Sequence, residues 1–377
     1  MQRGHRVTFL TTHHFREPVQ AAGARFLEYT SVFEDFDVPS ELKSDNPEEK
    51  MHLVWLHENI AILRAAERLL AADIPDLVVY DVMPFIAGRL LARKWGRPAV
   101  MTSPVFASNK HYSIWDELNN ANGFRPLYEM ESARCEMQEL LAEYGIRTPA
   151  DEFWYEPEGL TLVFISRSYQ PYGDTFDERT LFIGPSYPQG RGEPVGQWQR
   201  PEGHLPVIVI SLGTMFNDRP DVFRICLEAL GGRPWHVVLA VGPFKVSKLG
   251  REIPPNIKIR RIIPFVQVLK QASAFITHGS IGASVDSLYW GCPLVIWPGI
   301  GTQYEPSADR LVELGLGYRL QPEDINAEGL SRAVEAVVND TAMRERAVRM
   351  GEELRQAGGA PRAADAIEAY LGGAISG

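Results

Sequence analysis

FITHGSIGASVDSLYWGCPLVIWPGIGTQYE, residues 275–305, is the stretch from which the rest of the chain is read. A short apolar strand beginning at Ala274 ends at Thr277, and a His278-Gly279-Ser280 turn leads into a helix over residues 281–290. A second buried strand follows over residues 293–297. A strand that passes through a glycine turn into a helix aims free backbone N–H groups and the positive end of the helix dipole at one point, which suits a phosphate. His278 stands at the strand's carboxyl end, where a ring N–H can reach a phosphate oxygen, and Gly279 leaves room for close approach to the backbone. Asp286, farther along the helix, can accept from a ribose hydroxyl. The alternatives are that His278 caps the turn and that Asp286 is a solvated helix charge.

A second turn of the same kind closes the strand over residues 207–214, where Ser211-Leu212-Gly213-Thr214 ends in hydroxyls and glycine. Two such turns at strand carboxyl ends in one domain would face one ligand. Around them the chain alternates strand and helix: a helix over residues 222–230, the strands WHVVLAVG and IKIRRIIP, and a helix over residues 266–272.

The first half has the same rhythm. HRVTFLTT is an apolar parallel strand, with His13 and His14 at its carboxyl end as either ligand contacts or a loop pair. A strand over residues 25–29, an acidic loop over 35–49 and an amphipathic helix over 50–71 come next. PDLVVYD brings Asp81 to the end of a strand before the helix over residues 85–95. There a carboxylate either caps the helix or orients an imidazole by accepting its N–H. RPAVMTSP and LTLVFISR read as further strands. Between them lies an aromatic region carrying Phe106, His111, Tyr112 and Trp115, which reads as a binding surface or lid.

Residues 191–206, rich in Pro, Gly, Gln and Arg and without periodicity, form a linker. The expected architecture is therefore α/β, with two Rossmann-like domains, residues 1–190 and 207–360, facing each other across a cleft. Residues 361–377 form a terminal helix expected to return to the first domain.

A chain of 377 residues is long enough for two domains, and 45% hydrophobic with 23% charged residues is an ordinary globular composition. The net charge of -10 and the isoelectric point near 5.5 argue against nucleic acid or an anionic membrane as partner. Cys135, Cys226 and Cys292 sit singly, without zinc spacing, and read as reduced core thiols of a cytoplasmic protein. No run approaches the roughly 18 apolar residues of a membrane span, and no signal-peptide pattern opens the sequence.

The strings VISLGTMFNDRPDVFRICLEAL, ITHGSIGASVDSLYWGCPLVIWPGIGTQ, LVELGLGYRL and GGAPRAADAIEAYL, with PDLVVYD and FDERTLFIGP, resemble the family 1 nucleotide-sugar glycosyltransferases, above all the bacterial macrolide branch. The resemblance runs over essentially the whole chain and implies a GT-B fold, with an acceptor domain first and a sugar-nucleotide domain second. It implies that His278, Gly279, Ser280 and Ser284 hold the diphosphate, with Ser211, Gly213 and Thr214 on its other side. Asp286 matches the family's ribose-binding acid as a shorter carboxylate. Ile263, Phe265 and Val266 match the nucleobase-lining segment, although the family's Pro-Gln is Pro264-Phe265 here. The sugar-holding Asp-Gln or Glu-Gln of the family is replaced by Thr302-Gln303, or by Gln303-Tyr304 with a one-residue shift. Loss of that carboxylate removes a charge-assisted bond of about 1.5–3 kcal/mol, which points to an unusual or deoxygenated sugar or to decay.

The implied chemistry is inverting, metal-independent transfer with no cofactor beyond the nucleoside diphosphate sugar co-substrate. A histidine deprotonates the acceptor and an aspartate, matched here by Asp81, holds the imidazole. The family's base lies in a Gly-His motif upstream of the Arg-Gly-His strand start at which this sequence begins, so about 25 residues, one strand and one helix, are expected to be absent. A late start assignment, a deliberate truncation and natural loss of catalysis would each explain that. His5, at the start of its strand, is not that base.

The expected function is transfer of a hexose or deoxyhexose from a UDP or TDP sugar to a hydroxyl of a small hydrophobic natural product such as a macrolide or other polyketide. Phe106, His111, Tyr112 and Trp115 form the expected acceptor wall. The alternative is a catalytically impaired auxiliary or binding protein with the same scaffold. Such a protein, as a homodimer or beside a partner enzyme, would use the edge left open by the absent strand.

Overall fold

The computed structural model describes residues 3–187, 198–213, 218–250, 252–299 and 304–373. In the first domain the elements are β1 (Thr8–Thr11), α1 (Arg16–Ala21), β2 (Arg25–Glu28), α2 (Val38–Glu41), α3 (Pro47–Leu70), β3 (Val78–Asp81) and α4 (Phe85–Trp95). They continue with β4 (Ala99–Ser103), α5 (Ile114–Asn122), α6 (Glu131–Glu143), α7 (Ala150–Trp154), β5 (Thr161–Val163) and β6 (Thr180–Phe182). The acidic stretch expected as a loop contains α2 and the first turn of α3. The latter starts on Pro47 with Glu48 and Glu49 at its positive end, a favourable helix start despite the polar composition.

Strands β3, β4, β5 and β6 form one parallel sheet in that order, while β1 and β2 form a separate parallel pair. Among the described residues β1 bonds only β2 and β3 bonds only β4. Parallel strands are ordinarily covered on every side, yet Phe9 in β1 and Val79 in β3 are 52% and 50% exposed. Helix α4 packs so closely on β3 that a Cβ at Gly88 would lie 2.1 Å from the Tyr80 ring. That close packing fixes the end of β3, and with it Asp81.

The second domain contains β7 (Val207–Ser211), α8 (Pro220–Leu230), β8 (His236–Ala240), β9 (Ile257–Arg260), α9 (Phe265–Leu269), β10 (Ala274–Thr277), α10 (Ile281–Tyr289) and β11 (Leu294–Ile296). After these come α11 (Glu305–Glu313), β12 (Gly317–Arg319), α12 (Ala327–Asn339), α13 (Thr341–Gln356) and α14 (Gly359–Leu371). Its six strands are all parallel in the order β9-β8-β7-β10-β11-β12. By position in the domain this is the doubly wound order 3-2-1-4-5-6, whose direction of winding reverses between β7 and β10. The strands are continuous apolar runs because both faces are covered: Val207, Ile208, Val209, Ile210, Phe275 and Ile276 are wholly buried.

One apolar cluster joins the domains, from Phe106 and Tyr169 in the first to Phe275 and Leu311 in the second. Polar bonds reinforce it. Arg310 donates to the carbonyls of Tyr169 (3.1 Å) and Ser168 (2.8 Å), and the hydroxyls of Tyr169 and Ser307 meet at 2.9 Å. Helix α14 crosses back to the first domain, where Ala366 packs with Val100, Leu160, Leu162 and Ile183. Glu368 on that helix bonds His5 at 2.8 Å, so His5 is held at the amino-terminal side of its strand.

Cys226 and Cys292 are buried, and burial pushes both thiols up to about 12. Cys135 departs from the core-thiol expectation: on α6 it points outward and is exposed. No described helix is long and apolar enough to cross a membrane.

Candidate functional site

The reversal of winding places the carboxyl ends of β7 and β10 side by side, with Ser211 in register with Thr277. Both strands then make the same turn. The Gly213 N–H lies 3.4 Å from the Ser211 hydroxyl, and the Gly279 N–H lies 3.5 Å from the Thr277 hydroxyl. Each glycine has positive φ, +76° and +87°, where a side chain would be strained. The hydroxyl-x-glycine spacing in Ser-Leu-Gly and Thr-His-Gly is what lets a side-chain oxygen close each turn.

Between the turns stands His278, buried, with its imidazole directly over Gly213: a Cβ there would lie 2.7 Å from the ring Cε1. The ring of Tyr304 packs edge-on against it at 4.2 Å. Nδ1 of His278 is enclosed and has no hydrogen-bond partner among the described residues. Burial lowers the ring's pKa from 6.5 to about 4, so the imidazole is neutral at pH 7 and offers one N–H.

Helix α10 begins beside this ring. Ser280 occupies its N-cap with extended backbone, and among the described residues its side chain makes no capping bond. A Cβ built at Gly282 would meet nothing within 4 Å. A helix start carries backbone N–H groups without partners in the helix, an arrangement that favours an anion where space is left beside it.

Ser284 corrects an expectation. It is wholly buried on the inner side of α10, beside the Tyr169 hydroxyl, because the helix turns that position toward the first domain. Asp286 is partly exposed, and its Oδ1 accepts from the hydroxyl of Tyr187, the last described residue before the linker. Ile263 is buried, and Phe265 packs edge-on against Phe275 at 5.2 Å, so the base-lining segment is anchored in the core. Thr214, Thr302 and Gln303 lie outside the described residues.

On the first domain, Asp81 accepts from the Met83 N–H at 3.0 Å. Among the described residues no histidine bonds it. Burial raises its pKa, and the bond from Met83 opposes that shift. His13 and His14 stack at 3.8 Å at the end of β1, with His13 Nδ1 3.6 Å from Glu34.

The expected acceptor wall is corrected in part. Phe106 is wholly buried, edge-on to Tyr169 at 5.3 Å, and Tyr112 is buried beside it. They form a packing layer, whereas His111 is exposed and Trp115 is partly exposed. An open interdomain cavity of about 690 Å³ is lined by Arg167, Gln170, Tyr172, Arg310 and Glu353, and none of the described donor candidates is in its lining. Among the described residues no group of His, Cys, Asp or Glu side chains is placed to hold a metal.

Tyr187, Tyr169 and Arg310 carry no local signal in the sequence. Their partners are more than 90 residues away, and only the fold reveals them.

Two parallel-sheet domains packed together, one with paired glycine turns at its switch point, define the GT-B class of glycosyltransferases, and comparison with known proteins agrees. Residues 225–367 match the family described as "Erythromycin biosynthesis protein CIII-like, C-terminal domain". The chain is 35% identical over 375 residues to the NDP-glycosyltransferase YjiC of Bacillus licheniformis, covering 98% of this chain and 92% of that one. It is also 35% identical over 379 residues to the demethyllactenocin mycarosyltransferase of Streptomyces fradiae, covering 98% and 81%. The solved structure of the calicheamicin glycosyltransferase CalG4 matches with a TM-score of 0.91 at 46% identity, covering 98% of this chain and 92% of that one. The chain belongs to the family 1 glycosyltransferases, alongside the macrolide glycosyltransferases.

Proposed function

We propose that this chain is a cytoplasmic, inverting enzyme that moves a hexose or deoxyhexose from a UDP or TDP sugar to a hydroxyl of a hydrophobic natural product. It uses no metal and no resident cofactor. The observation that carries the reading is the paired turn: Ser211-Leu212-Gly213 and Thr277-His278-Gly279 in register, with the buried, neutral His278 between them at the start of α10.

In this reading the diphosphate lies across both turns. Backbone N–H groups and one imidazole N–H bear on its oxygens, with no side-chain cation required. The acceptor oxygen bonds to the anomeric carbon as the bond to the diphosphate oxygen breaks, and the electron pair leaves with the nucleotide. The turns and the dipole of α10 stabilise that developing charge. The acceptor proton passes to a base that Asp81 would orient by accepting its N–H.

A second reading is an auxiliary or catalytically impaired protein with the same scaffold.

Calorimetric titration with UDP and TDP, beside His278→Ala, tests the first reading. Binding that the variant loses supports it, and absence of binding by folded protein removes it. Nucleotide binding without turnover of nucleotide sugars over a panel of hydrophobic acceptors would support the second.

A further inference from the structure

Tyr169 belongs to the first domain, yet its side chain ends against the second. Its ring is wholly buried and packs edge-on against Phe106 at 5.3 Å. Its hydroxyl meets that of Ser307 on α11 at 2.9 Å, with Ser284 of α10 beside it. The tyrosine therefore touches both helices that adjoin the His278-Gly279 turn.

Helix α11 forms the back of that turn. Tyr304, at its N-cap, packs edge-on against the His278 ring at 4.2 Å. One helical turn farther on, a Cβ built at Gly279 would lie 3.3 Å from Cβ of Ala308 and 3.6 Å from its Cα. Ser307 falls between these two contacts, next to Ala308. A shift of α11 at Ser307 is thus carried to the imidazole and to the glycine, because a close-packed interior does not absorb it locally. Ser307 is 2% exposed and Tyr169 is fully enclosed, so loss of one hydroxyl leaves the other without ready access to water.

We propose that Tyr169 is a positioning residue of the donor site, supplied by the first domain. Through Ser307 it fixes α11, and with it the seating of Tyr304 on His278 and of Ala308 on Gly279. The inference rests on the reading of the His278-Gly279 turn as the diphosphate site. It makes the nucleotide site a product of both domains, although every donor candidate lies in the second.

The test is calorimetric titration of the full chain with UDP or TDP, whichever the wild-type protein binds more tightly, beside a thermal melt of each variant. Tyr169→Phe keeps the ring against Phe106 and removes only the hydroxyl. It should weaken nucleotide binding roughly threefold to tenfold, the worth of one hydrogen bond. Ser307→Ala should weaken it by a similar factor. The double variant should lie within about twofold of the weaker-binding single variant, because both substitutions break the same bond. Without nucleotide, the NMR signal of the His278 ring, identified by its loss in His278→Ala, should shift in both single variants. A merely structural role would lower the melting temperature and leave affinity and ring signal where they were.

If His278→Ala abolishes binding while folded Tyr169→Phe binds within about twofold of wild type, the inference on Tyr169 fails alone. Losses that multiply in the double variant also overturn it, since the two hydroxyls would then act independently. If the folded wild-type protein binds neither nucleotide, the donor-site reading fails and takes this inference with it. Should Tyr169→Phe not fold, Ser307→Ala still decides: unchanged nucleotide affinity overturns the proposal.

Discussion

The imidazole of His278 lies over Gly213 with no room for a side chain, since a Cβ at position 213 would stand 2.7 Å from Cε1 and 3.3 Å from Nε2. One turn is therefore the seat of the other. Gly213→Ala would meet both this contact and a backbone φ of +76°. It should cost about 1–3 kcal/mol of stability and, by moving the imidazole, weaken nucleotide binding at least about tenfold. Urea unfolding and calorimetry measure the two effects. A variant that loses stability but keeps its affinity would show that the His278 ring is not held by this contact.

The neutrality of His278 makes stability depend on pH in a defined direction. Its pKa is lowered from 6.5 to about 4 by burial. Between those values the unfolded chain binds a proton that the folded ring refuses, so stability falls as pH falls from about 6.5 toward 4. The contribution is on the order of 3 kcal/mol. His278→Gln should flatten that limb of the stability curve. Urea midpoints at pH 7, 5.5 and 4.5 for both proteins check it, and parallel curves would contradict the assignment.

Asp81 carries the opposite sign. Burial raises its pKa, against the bond from Met83, so the folded state holds the proton more readily than the unfolded chain. The stability this brings is present at low pH and is lost as pH rises through the raised pKa. At neutral pH the ionised carboxylate costs stability. Asp81→Asn retains an acceptor for the Met83 N–H and should be as stable as wild type at pH 7, or more so by about 1 kcal/mol, with no gain at pH 4. If Asp81 orients the base, turnover should fall by about 10²-fold or more. A variant less stable at pH 7 would show that the carboxylate makes a favourable native interaction.

Much of the second domain is legible in the sequence because its determinants are local. Strand β10 and the start of α10 occupy the expected residues, since an apolar β-branched run ending in Thr277-His278-Gly279 has one comfortable conformation. The turns that carry His278 and Gly213 follow for the same reason. Residues whose role depends on which strands become neighbours are not legible. The register of Ser211 with Thr277 follows from the sheet order, and the grip of Tyr187 on Asp286 spans the linker. Phe106 and Tyr112 mislead because an aromatic cluster in a loop-like region resembles a ligand wall. The nine-residue helix α5 and the interdomain seam instead enclose those rings. The exposure of Phe9 and Val79 follows from which strands pair, so composition does not reveal it.

Arg310 offers a test of how the two domains are coupled. Its guanidinium, 15% exposed, makes its two shorter carbonyl bonds to Tyr169 and Ser168 across the seam, a longer one of 3.4 Å to Gln170, and one to Glu313 within its own helix. Arg310→Ala leaves two carbonyls near the seam without their cationic donor, and should cost about 2–3 kcal/mol. Arg310→Lys keeps the charge but lacks the planar fork that reaches both carbonyls, so it should recover less than half of that loss. Because the lost bonds join separate sheets, the cost should fall on domain coupling: in scanning calorimetry the Arg310→Ala unfolding peak should broaden or divide relative to wild type. A peak shifted down without broadening would mean that the apolar cluster from Phe106 to Leu311 couples the domains alone. Arg310 would then act only within α11.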